Sequence, residues 1–232
     1  MWPKNVQDQE KRAAGEAAAE LVKDGMLLGI GTGSTVAFFI DALGARVAAG
    51  LSVSGIPTSE ATAAHCTRLG IPLVDFKEVS RLDLTVDGAD EVDQNFQMIK
   101  GGGGALLREK LVAEAANHVA IIADSSKRVE TLGAFPLPVE IVRFAHEQTC
   151  RRIAALGIEF NIRQIAGIEF ITDNGNLILD CRMASIPDPI GLHKKLIEIT
   201  GVVETGLFIN LCQTLVIGRG TDTEVFENPQ PV

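Results

Sequence analysis

The first half of the chain alternates short apolar stretches with longer helical patterns, and this alternation constrains the fold more than any other feature. Four short apolar stretches predict buried strands, at residues 27–30, 51–56, 82–86 and 119–123. Helical patterns accompany them at residues 6–23, 59–69 and 105–117, and a further helical run extends through residues 40–43. Strands that alternate with helices typically form a parallel sheet. We therefore expect an α/β fold with a Rossmann-like, largely parallel sheet and helices on both faces.

The second half has a different pattern, which begins where Pro136 and Pro138 interrupt regular structure. A β-α-β-β-α-β order follows, at residues 139–142, 146–156, 168–172, 177–179, 189–200 and 202–204. The Asn174-Gly175 pair predicts a hairpin turn between the two middle strands. This order is typical of a small α+β domain of the split-βαβ type. We predict a main domain of residues 1–133 with 206–232, to which a strand at 214–217 returns, and a small domain of residues 134–205.

Composition and charge exclude several classes of protein. Of 232 residues, 46% are hydrophobic, and 21 basic against 30 acidic side chains give a net charge of −9. Such a field disfavours nucleic acid as a partner. No apolar run reaches the roughly 18 residues of a membrane span, and no apolar stretch follows the charged N-terminus as in a secretory signal. We expect a soluble cytoplasmic protein with no membrane partner.

The four cysteines predict neither zinc binding nor a disulfide framework. Cys66, Cys150, Cys181 and Cys212 are at least thirty residues apart, and no Cys-x-x-Cys or Cys/His cluster is present. Isolated thiols in a reducing compartment are the simpler interpretation.

A glycine-rich turn follows the first predicted strand. Gly29-Ile-Gly-Thr-Gly-Ser-Thr35 opens a helix, so its backbone N–H groups and hydroxyls surround a helix N-terminus, which is a natural site for an anion. The spacing does not fit G-x-G-x-x-G, because Ser34 or Val36 stands at the last position, and no G-x-x-x-x-G-K-[ST] is present. The alternative is structural: Ser34 or Thr35 caps the helix.

Two aspartates lie where another predicted strand ends, in Asp87-Gly-Ala-Asp90. In open α/β sheets ligands bind at the carboxyl ends of strands, so both carboxylates could face the hydroxyl groups of a substrate. Ordinary turn chemistry would explain either aspartate alone. A divalent metal is a further alternative, but the spacing lacks the pattern of a calcium loop and no histidine is near. We predict no metal site.

Lys100 enters a run of four glycines that ends at Gly104. Four consecutive glycines cost backbone entropy and contribute no packing, so a plain connector would rarely use them. They suit a loop whose backbone approaches a ligand, with the lysine over an oxygen that becomes negatively charged. A flexible linker is the alternative.

Glu109 lies on the helix that follows this loop. Its neighbours three and four positions away are all apolar, namely Ala105, Leu106, Val112 and Ala113, so it lacks the cation that a solvated glutamate often finds. Desolvation should raise the pKa of this carboxyl group toward the range of a general base. An exposed glutamate at the helix edge is the alternative. Lys11 and Lys127 are the cations that could help to bind an anionic substrate.

In combination these motifs resemble the type A family of ribose-5-phosphate isomerases. The resemblance extends over nearly the whole chain, through Gly31–Thr35, Asp87–Asp90, Lys100–Gly103, Arg108-Glu-Lys110, Phe135–Glu140, Thr172–Asn176 and Gly206-Leu-Phe208. It implies the interconversion of D-ribose 5-phosphate and D-ribulose 5-phosphate in the pentose phosphate pathway, without metal or other cofactor. It also implies a homodimer or homotetramer whose partner is a small-molecule sugar phosphate.

The resemblance also implies roles for individual residues. Glu109 matches the proton-transferring base, and Asp87, Asp90 and Lys100 match further catalytic residues. The residues that match substrate-binding positions are Thr32, Gly33, Ser34, Thr35, Gly88, Ala89, Gly101, Gly102, Gly103, Lys127 and Lys11. Two other kinds of protein remain as alternatives: a sugar-phosphate-sensing module, which would not need Glu109, and a coenzyme A transferase, which would use a glutamate as its nucleophile.

Overall fold

The structure, a computed structural model, describes residues 6–229. The first five residues, part of the segment judged not to be a secretory signal, lie outside the described residues. Residues 6–229 form six helices, α1 (Val6–Ala19), α2 (Ser34–Ala48), α3 (Glu60–Arg68), α4 (Leu106–Glu114), α5 (His146–Ala154) and α6 (Pro189–Ile197), and a 3₁₀ turn at Ser125–Lys127. The strands are β1 (Leu27–Ile30), β2 (Ser54–Pro57), β3 (Leu84–Gly88), β4 (Glu91–Val92), β5 (Met98–Ile99), β6 (Val119–Asp124), β7 (Leu137–Ile141), β8 (Glu159–Ile162), β9 (Gln164–Ile165), β10 (Ile168–Glu169), β11 (Leu177–Arg182), β12 (Val202–Thr205), β13 (Leu207–Phe208), β14 (Thr214–Arg219) and β15 (Asp222–Glu227). None of the described helices combines the length and apolarity that crossing a membrane would need.

The first of two compact units is the α/β layer that the sequence predicts. It contains the chain up to Ala89, Arg108–Lys127 and the chain from Asn210 onward. Its sheet has the order β15-β14-β6-β3-β1-β2, and all neighbours are parallel except β14 and β15. All six residues of β6 are buried, because helices cover a central parallel strand. The predicted α/β class, with a largely parallel sheet, is confirmed.

One strand of this sheet is absent from the sequence prediction. β15 is a charged edge strand that pairs antiparallel with β14, and most of its side chains are exposed. Its charged residues carry no apolar signal, whereas the predicted return of residues 214–217 to the first sheet is confirmed by β14, which pairs with β6. Charges on an edge strand also discourage pairing with another chain.

The second unit contains Asp90–Leu107 and Arg128–Ile209. Its four-stranded antiparallel sheet has the order β12-β7-β11-β8, with α5 and α6 in the two crossover connections, which is the split-βαβ arrangement. The strand predicted at residues 168–172 is wrong as the partner of β11, because β8 occupies that place. Phe160 and Ile162 pack on the core from β8, whereas Ile168 is 74% exposed.

The boundary between the units differs from the predicted domain boundaries. Residues 90–107 contain β4 and β5, and these pair with β13 in a small sheet of the order β13-β5-β4. The carboxylate of Glu91 also accepts hydrogen bonds from the backbone N–H groups of Gly133 and Phe135. These pairings place residues 90–107 in the second unit, and local sequence patterns do not reveal them.

Candidate active site

Three neighbouring strand ends of the first unit carry about half of the predicted site residues. β1, β3 and β6 are adjacent and parallel, so their carboxyl ends lie along one edge of the sheet. The loop of residues 31–35 follows β1, Asp87 and Gly88 end β3, and the turn that contains Lys127 follows β6. Ligands of open α/β sheets bind at such an edge.

The loop after β1 presents a helix N-terminus without a side-chain cap. α2 starts at Ser34, and the N-cap residue Gly33 has φ 129° and ψ 173°, a conformation that L side chains rarely adopt. No side chain forms a cap hydrogen bond there, so helix capping does not explain Ser34 and Thr35. Gly33 and Ser34 are exposed, and the first-turn N–H groups suit a bound anion.

The hydroxyl of Thr32 is engaged in a cluster of hydroxyl groups. Its Oγ1 lies 2.7 Å from Thr58 Oγ1, 2.8 Å from Ser59 Oγ and 3.1 Å from Thr62 Oγ1. Thr62 donates in turn to the carbonyl oxygen of Gly31 at 2.8 Å, and Ser59 caps α3. The Thr32 hydroxyl donates its one hydrogen to Ser59 Oγ, so it has no hydrogen left to donate elsewhere. The cluster therefore fixes the loop, and the sequence analysis missed the contribution of Thr58 and Thr62.

Asp87 joins this loop to the end of β3. Its side chain is 2% exposed, and Oδ1 accepts hydrogen bonds from Thr32 N at 3.1 Å and Gly88 N at 2.7 Å. A Cβ atom at Gly31 would lie 2.0 Å from Asp87 Oδ1, so only glycine fits there. Ordinary turn chemistry would explain the contact to Gly88 but not the contact to a loop 55 residues away.

Glu109 lies in the first turn of α4 and is 2% exposed. α4 packs closely on the sheet: a Cβ atom at Gly29 would lie 2.5 Å from Val112 Cγ1, and Thr85 donates to the carbonyl oxygen of Val112 at 3.3 Å. Arg108 binds Glu60 of α3 at 2.9 Å. The expected burial of Glu109 is thus observed, and the raised pKa stays a prediction.

Glu10 links the two elements that carry the predicted lysines. Its carboxylate accepts hydrogen bonds from Ser125 N at 3.0 Å, Ser125 Oγ at 2.8 Å and Gly220 N at 3.3 Å. Glu10 precedes Lys11 on α1, and Ser125 begins the turn that contains Lys127; both lysines are half-buried. Burial acts to raise the pKa of Glu10, but the hydrogen bonds from Ser125 and Gly220 outweigh it and lower the pKa. Glu10 has no local signal in the sequence and was not among the predicted site residues.

The other predicted residues, Asp90, Lys100 and the glycine run, belong to the second unit. Asp90 Oδ2 accepts a hydrogen bond from Gly102 N at 2.7 Å, and Gly104 N donates to the carbonyl oxygen of Gly101 at 3.0 Å. The N–H groups of Gly102 and Gly104 therefore already donate hydrogen bonds within the protein. Lys100 is 2% exposed, and its Nζ lies 5.3 Å from the centre of the Phe208 ring.

The cysteines are free thiols, as expected. Burial raises the pKa of Cys66 to about 11. Burial also raises the pKa of Cys181 and of Cys212 to about 12, with a smaller contribution from acidic neighbours. Thiols of this kind are unreactive at neutral pH. Among the residues that the structure describes, no three His, Cys, Asp or Glu side chains group closely enough to hold a metal ion.

Comparisons with known proteins show the family of the chain. The model of the family "Ribose 5-phosphate isomerase A (phosphoriboisomerase A)" matches residues 54–222. The chain belongs to the ribose-5-phosphate isomerase A family. "Ribose-5-phosphate isomerase A 1" of Oceanobacillus iheyensis is 51% identical to it over 216 residues, which cover 93% of this chain and 96% of that one.

Solved structures of ribose-5-phosphate isomerases share the fold. The enzyme from Neisseria gonorrhoeae has a TM-score of 0.89 and 41% identity, and the match covers 97% of this chain and 98% of that one. A D-ribose-5-phosphate isomerase in complex with phospho-erythronic acid has a TM-score of 0.91 and 32% identity over 95% of this chain and 99% of that one. The protein is therefore an isomerase of this family, and the sensing-module and coenzyme A transferase alternatives are set aside.

Proposed function

We propose that the protein interconverts D-ribose 5-phosphate and D-ribulose 5-phosphate through a cis-enediolate, without a metal or other cofactor, in the pentose phosphate pathway. The observation that carries the proposal is the buried carboxylate of Glu109 in a chain of this family. A carboxylate removed from bulk water is suited to take a proton from carbon, since desolvation favours its protonated form.

The proposed reaction begins from the open-chain aldose. Glu109 takes the proton from C2, the C–H electron pair forms the C1–C2 double bond, and the negative charge develops on O1. Glu109 then returns a proton to C1, while the proton of the O2 hydroxyl passes to O1 and the carbonyl forms at C2. The reaction is balanced without any oxidant, reductant or added group.

Lys100 is proposed to stabilise the negative charge on the enediolate oxygen, together with N–H groups of the glycine loop. Lys100 is almost fully buried, and a charge acts more strongly where water is excluded. Of the loop, Gly101 and Gly103 can supply N–H groups, because within residues 6–229 neither group donates a hydrogen bond. The N–H of Gly102 is instead donated to the carboxylate of Asp90.

The phosphate is proposed to bind at the N-terminus of α2, against Ser34 and Thr35, with Lys11 and Lys127 adding positive charge. The uncapped first turn of α2 supports this role. Asp87 and Asp90 are proposed to orient the sugar hydroxyls and to assist ring opening. Thr32 is proposed to hold the loop rather than to donate a hydrogen bond to the substrate, because its hydroxyl hydrogen is already donated to Ser59 Oγ.

The direct test is incubation of the chelator-treated protein with ribose 5-phosphate while the ketose is followed. Glu109→Gln keeps the shape of the side chain and removes its basicity, so it should lose at least about 10²–10⁴-fold in kcat while still binding the sugar phosphate. Glu114→Gln is the matched control, because Glu114 is exposed on the same helix and should keep normal turnover. Normal turnover of Glu109→Gln would remove this residue from the role of base.

A second variant tests Lys100. Lys100→Ala should lower kcat by about 10²–10³-fold, more than it raises KM, because the proposed contact strengthens as charge develops. A rise in KM with unchanged kcat would instead assign Lys100 to ground-state binding.

We also propose that the protein acts as a homodimer or homotetramer. On the second unit Phe144 is 90% exposed, Ile168 74% and Ile165 62%, and large exposed apolar side chains mark interaction surfaces when they cluster. Light scattering coupled to gel filtration would measure the mass, and a monomer at all concentrations would contradict the proposal.

A further inference from the structure

Arg163 binds the carbonyl side of the glycine loop. Its Nη1 donates to the carbonyl oxygen of Gly101 at 2.8 Å and to that of Gly102 at 3.2 Å. The remaining nitrogens bind Asp180, with Nε donating to Oδ2 at 3.0 Å and Nη2 donating to Oδ1. The two side chains are only 12% and 28% exposed, so the guanidinium is held in one orientation by carboxylate and carbonyl oxygens together.

These contacts determine the direction of two peptide N–H groups. In a trans peptide the C=O and the following N–H point in opposite directions, and the described chain has no cis peptide bond. Since the Gly101 carbonyl faces Arg163, the N–H of Gly102 must face away from it, and there it meets Asp90 Oδ2 at 2.7 Å. By the same geometry the Gly102 carbonyl turns the N–H of Gly103 away from Arg163. Gly103 is exposed, and its N–H donates no hydrogen bond within residues 6–229.

The segment that supplies Arg163 also supports the end of the loop. Phe170 N donates to the carbonyl oxygen of Arg163 at 2.9 Å and closes the base of the β9–β10 hairpin. The Phe170 ring fills the space beside Gly104, where a Cβ atom would lie 2.4 Å from it, and the Arg163 guanidinium lies 5.9 Å from the ring centre. A run of four glycines has no side chains of its own to fix its conformation. Arg163 and Phe170 supply those restraints from outside the loop.

We propose that Arg163, anchored by Asp180, is a positioning residue that directs the N–H of Gly103 toward the substrate oxygen on which the enediolate charge develops. The proposal rests on the proposed isomerase function. Arg163 does not touch the substrate: it acts through the peptide group between Gly102 and Gly103. Its positive charge also polarises that peptide, which strengthens hydrogen bonds from the N–H.

Only arginine meets the geometric requirement. One planar guanidinium reaches two carbonyl oxygens and both carboxylate oxygens at once, whereas the single ammonium group of lysine cannot hold all four. Lysine would keep the positive charge and lose the orientation. A role in charge alone therefore predicts rescue by Arg163→Lys, and a positioning role predicts no rescue.

The test compares Arg163→Lys with Asp180→Asn and with the control Arg182→Lys. Arg182 is exposed, lies two residues after Asp180 on β11 and, within residues 6–229, makes no hydrogen bond to the loop. Arg163→Lys should lower kcat by about 10²-fold with KM changed less than about twofold, since misplacing a catalytic donor by about 1 Å costs that much. Asp180→Asn should lower kcat less, by about tenfold, and Arg182→Lys should match the wild type.

A measurement independent of turnover separates this inference from the proposed function. Protein labelled with [15N]glycine is titrated with phospho-erythronic acid, and the amide resonance of Gly103 should shift in the wild type and in Arg182→Lys but not in Arg163→Lys. If the wild type failed to isomerise ribose 5-phosphate but showed this pattern, the proposed function would fall, whereas the orientation of the Gly103 N–H toward the ligand by Arg163 would stand. Wild-type kcat in Arg163→Lys, equal falls in kcat for Arg182→Lys, or a Gly103 resonance that ignores the ligand would overturn the inference. Should Arg163→Lys fail to fold, Asp180→Asn decides by the same two measurements.

Discussion

Glu10→Gln should destabilise the protein by removing the charge that holds α1 to the end of β6. The wild-type carboxylate accepts two hydrogen bonds from Ser125 and one from Gly220. A hydrogen bond to a charged group contributes about 1.5–3 kcal/mol net and a neutral one about 0.5–1.5. The amide of glutamine keeps one acceptor oxygen, so it weakens the Ser125 pair and turns an NH₂ group toward the N–H of Gly220.

The sum of these losses is about 2–4 kcal/mol, and solvent screening near the surface reduces it to about 1–2 kcal/mol. For a chain of this length each kcal/mol lowers Tm by about 2–4 °C, so Tm should fall by about 2–8 °C. Glu16→Gln is the matched control, because Glu16 is exposed on the same helix and, within residues 6–229, forms an ion pair with Arg12 alone, at 3.4 Å. It should change the free energy of unfolding by less than about 0.5 kcal/mol.

The destabilisation should also depend on pH in one direction. The pKa of Glu10 is lower in the folded protein than its ordinary value of 4.5, so the folded state favours the charged form. The stability that Glu10 contributes is therefore fully present above about pH 4.5 and is lost as the pH falls through the lowered folded pKa. Urea unfolding at fixed protein concentration, between pH 7 and the acid limit of folding, should show the gap between wild type and Glu10→Gln closing toward low pH. A gap of the same size at every pH, or no gap at neutral pH, would refute the reasoning.

Three further outcomes are expected. Gly31→Ala places a Cβ atom 2.0 Å from Asp87 Oδ1 and must displace that carboxylate, so kcat should fall by about 10²-fold in a folded protein; near-normal kcat would show that Asp87 has no positional role. Thr62→Val leaves the carbonyl oxygen of Gly31 without its donor and should cost about 1–3 kcal/mol in urea unfolding, and an unchanged midpoint would contradict the role of the hydroxyl cluster. Exhaustive dialysis against a chelator should leave the rate of ketose formation unchanged, and a loss restored by a divalent cation would disprove the metal-free proposal.

Local patterns in the sequence were sufficient for the parallel strands of the first unit, because these strands lie buried under helices, whereas the exposed edge strand β15 gave no such pattern. β1 lies where the apolar stretch at residues 27–30 predicts it, and β6 matches within one residue. Ser59 caps α3 as the sequence indicates, through a hydrogen bond from Thr62 N. In a parallel sheet covered by helices, burial depends on the strand's own composition, which is local information.

The second unit shows where local information ends. Residues 159–162 alternate polar and apolar side chains, and residues 168–172 are largely apolar and β-branched or aromatic, so either could form the strand beside β11. The sheet takes residues 159–162, because Phe160 pairs with Cys181 and faces the core, while Ile165 and Ile168 pair with each other in an exposed hairpin. Register and packing decide between two such segments, and neither can be read from the segment itself.

The same limit explains which site residues the sequence revealed. A glycine run shows that something approaches the backbone closely, but it cannot show what approaches. At Gly31 the partner is Asp87, and at Gly104 it is Phe170. Arg163 lies 62 residues from Gly101 and Glu10 lies 115 residues from Ser125, so neither contact has a spacing that a motif could record. The residues proposed to react are suggested by motifs because they are grouped in short segments, whereas the residues proposed to fix their geometry are chosen by the fold.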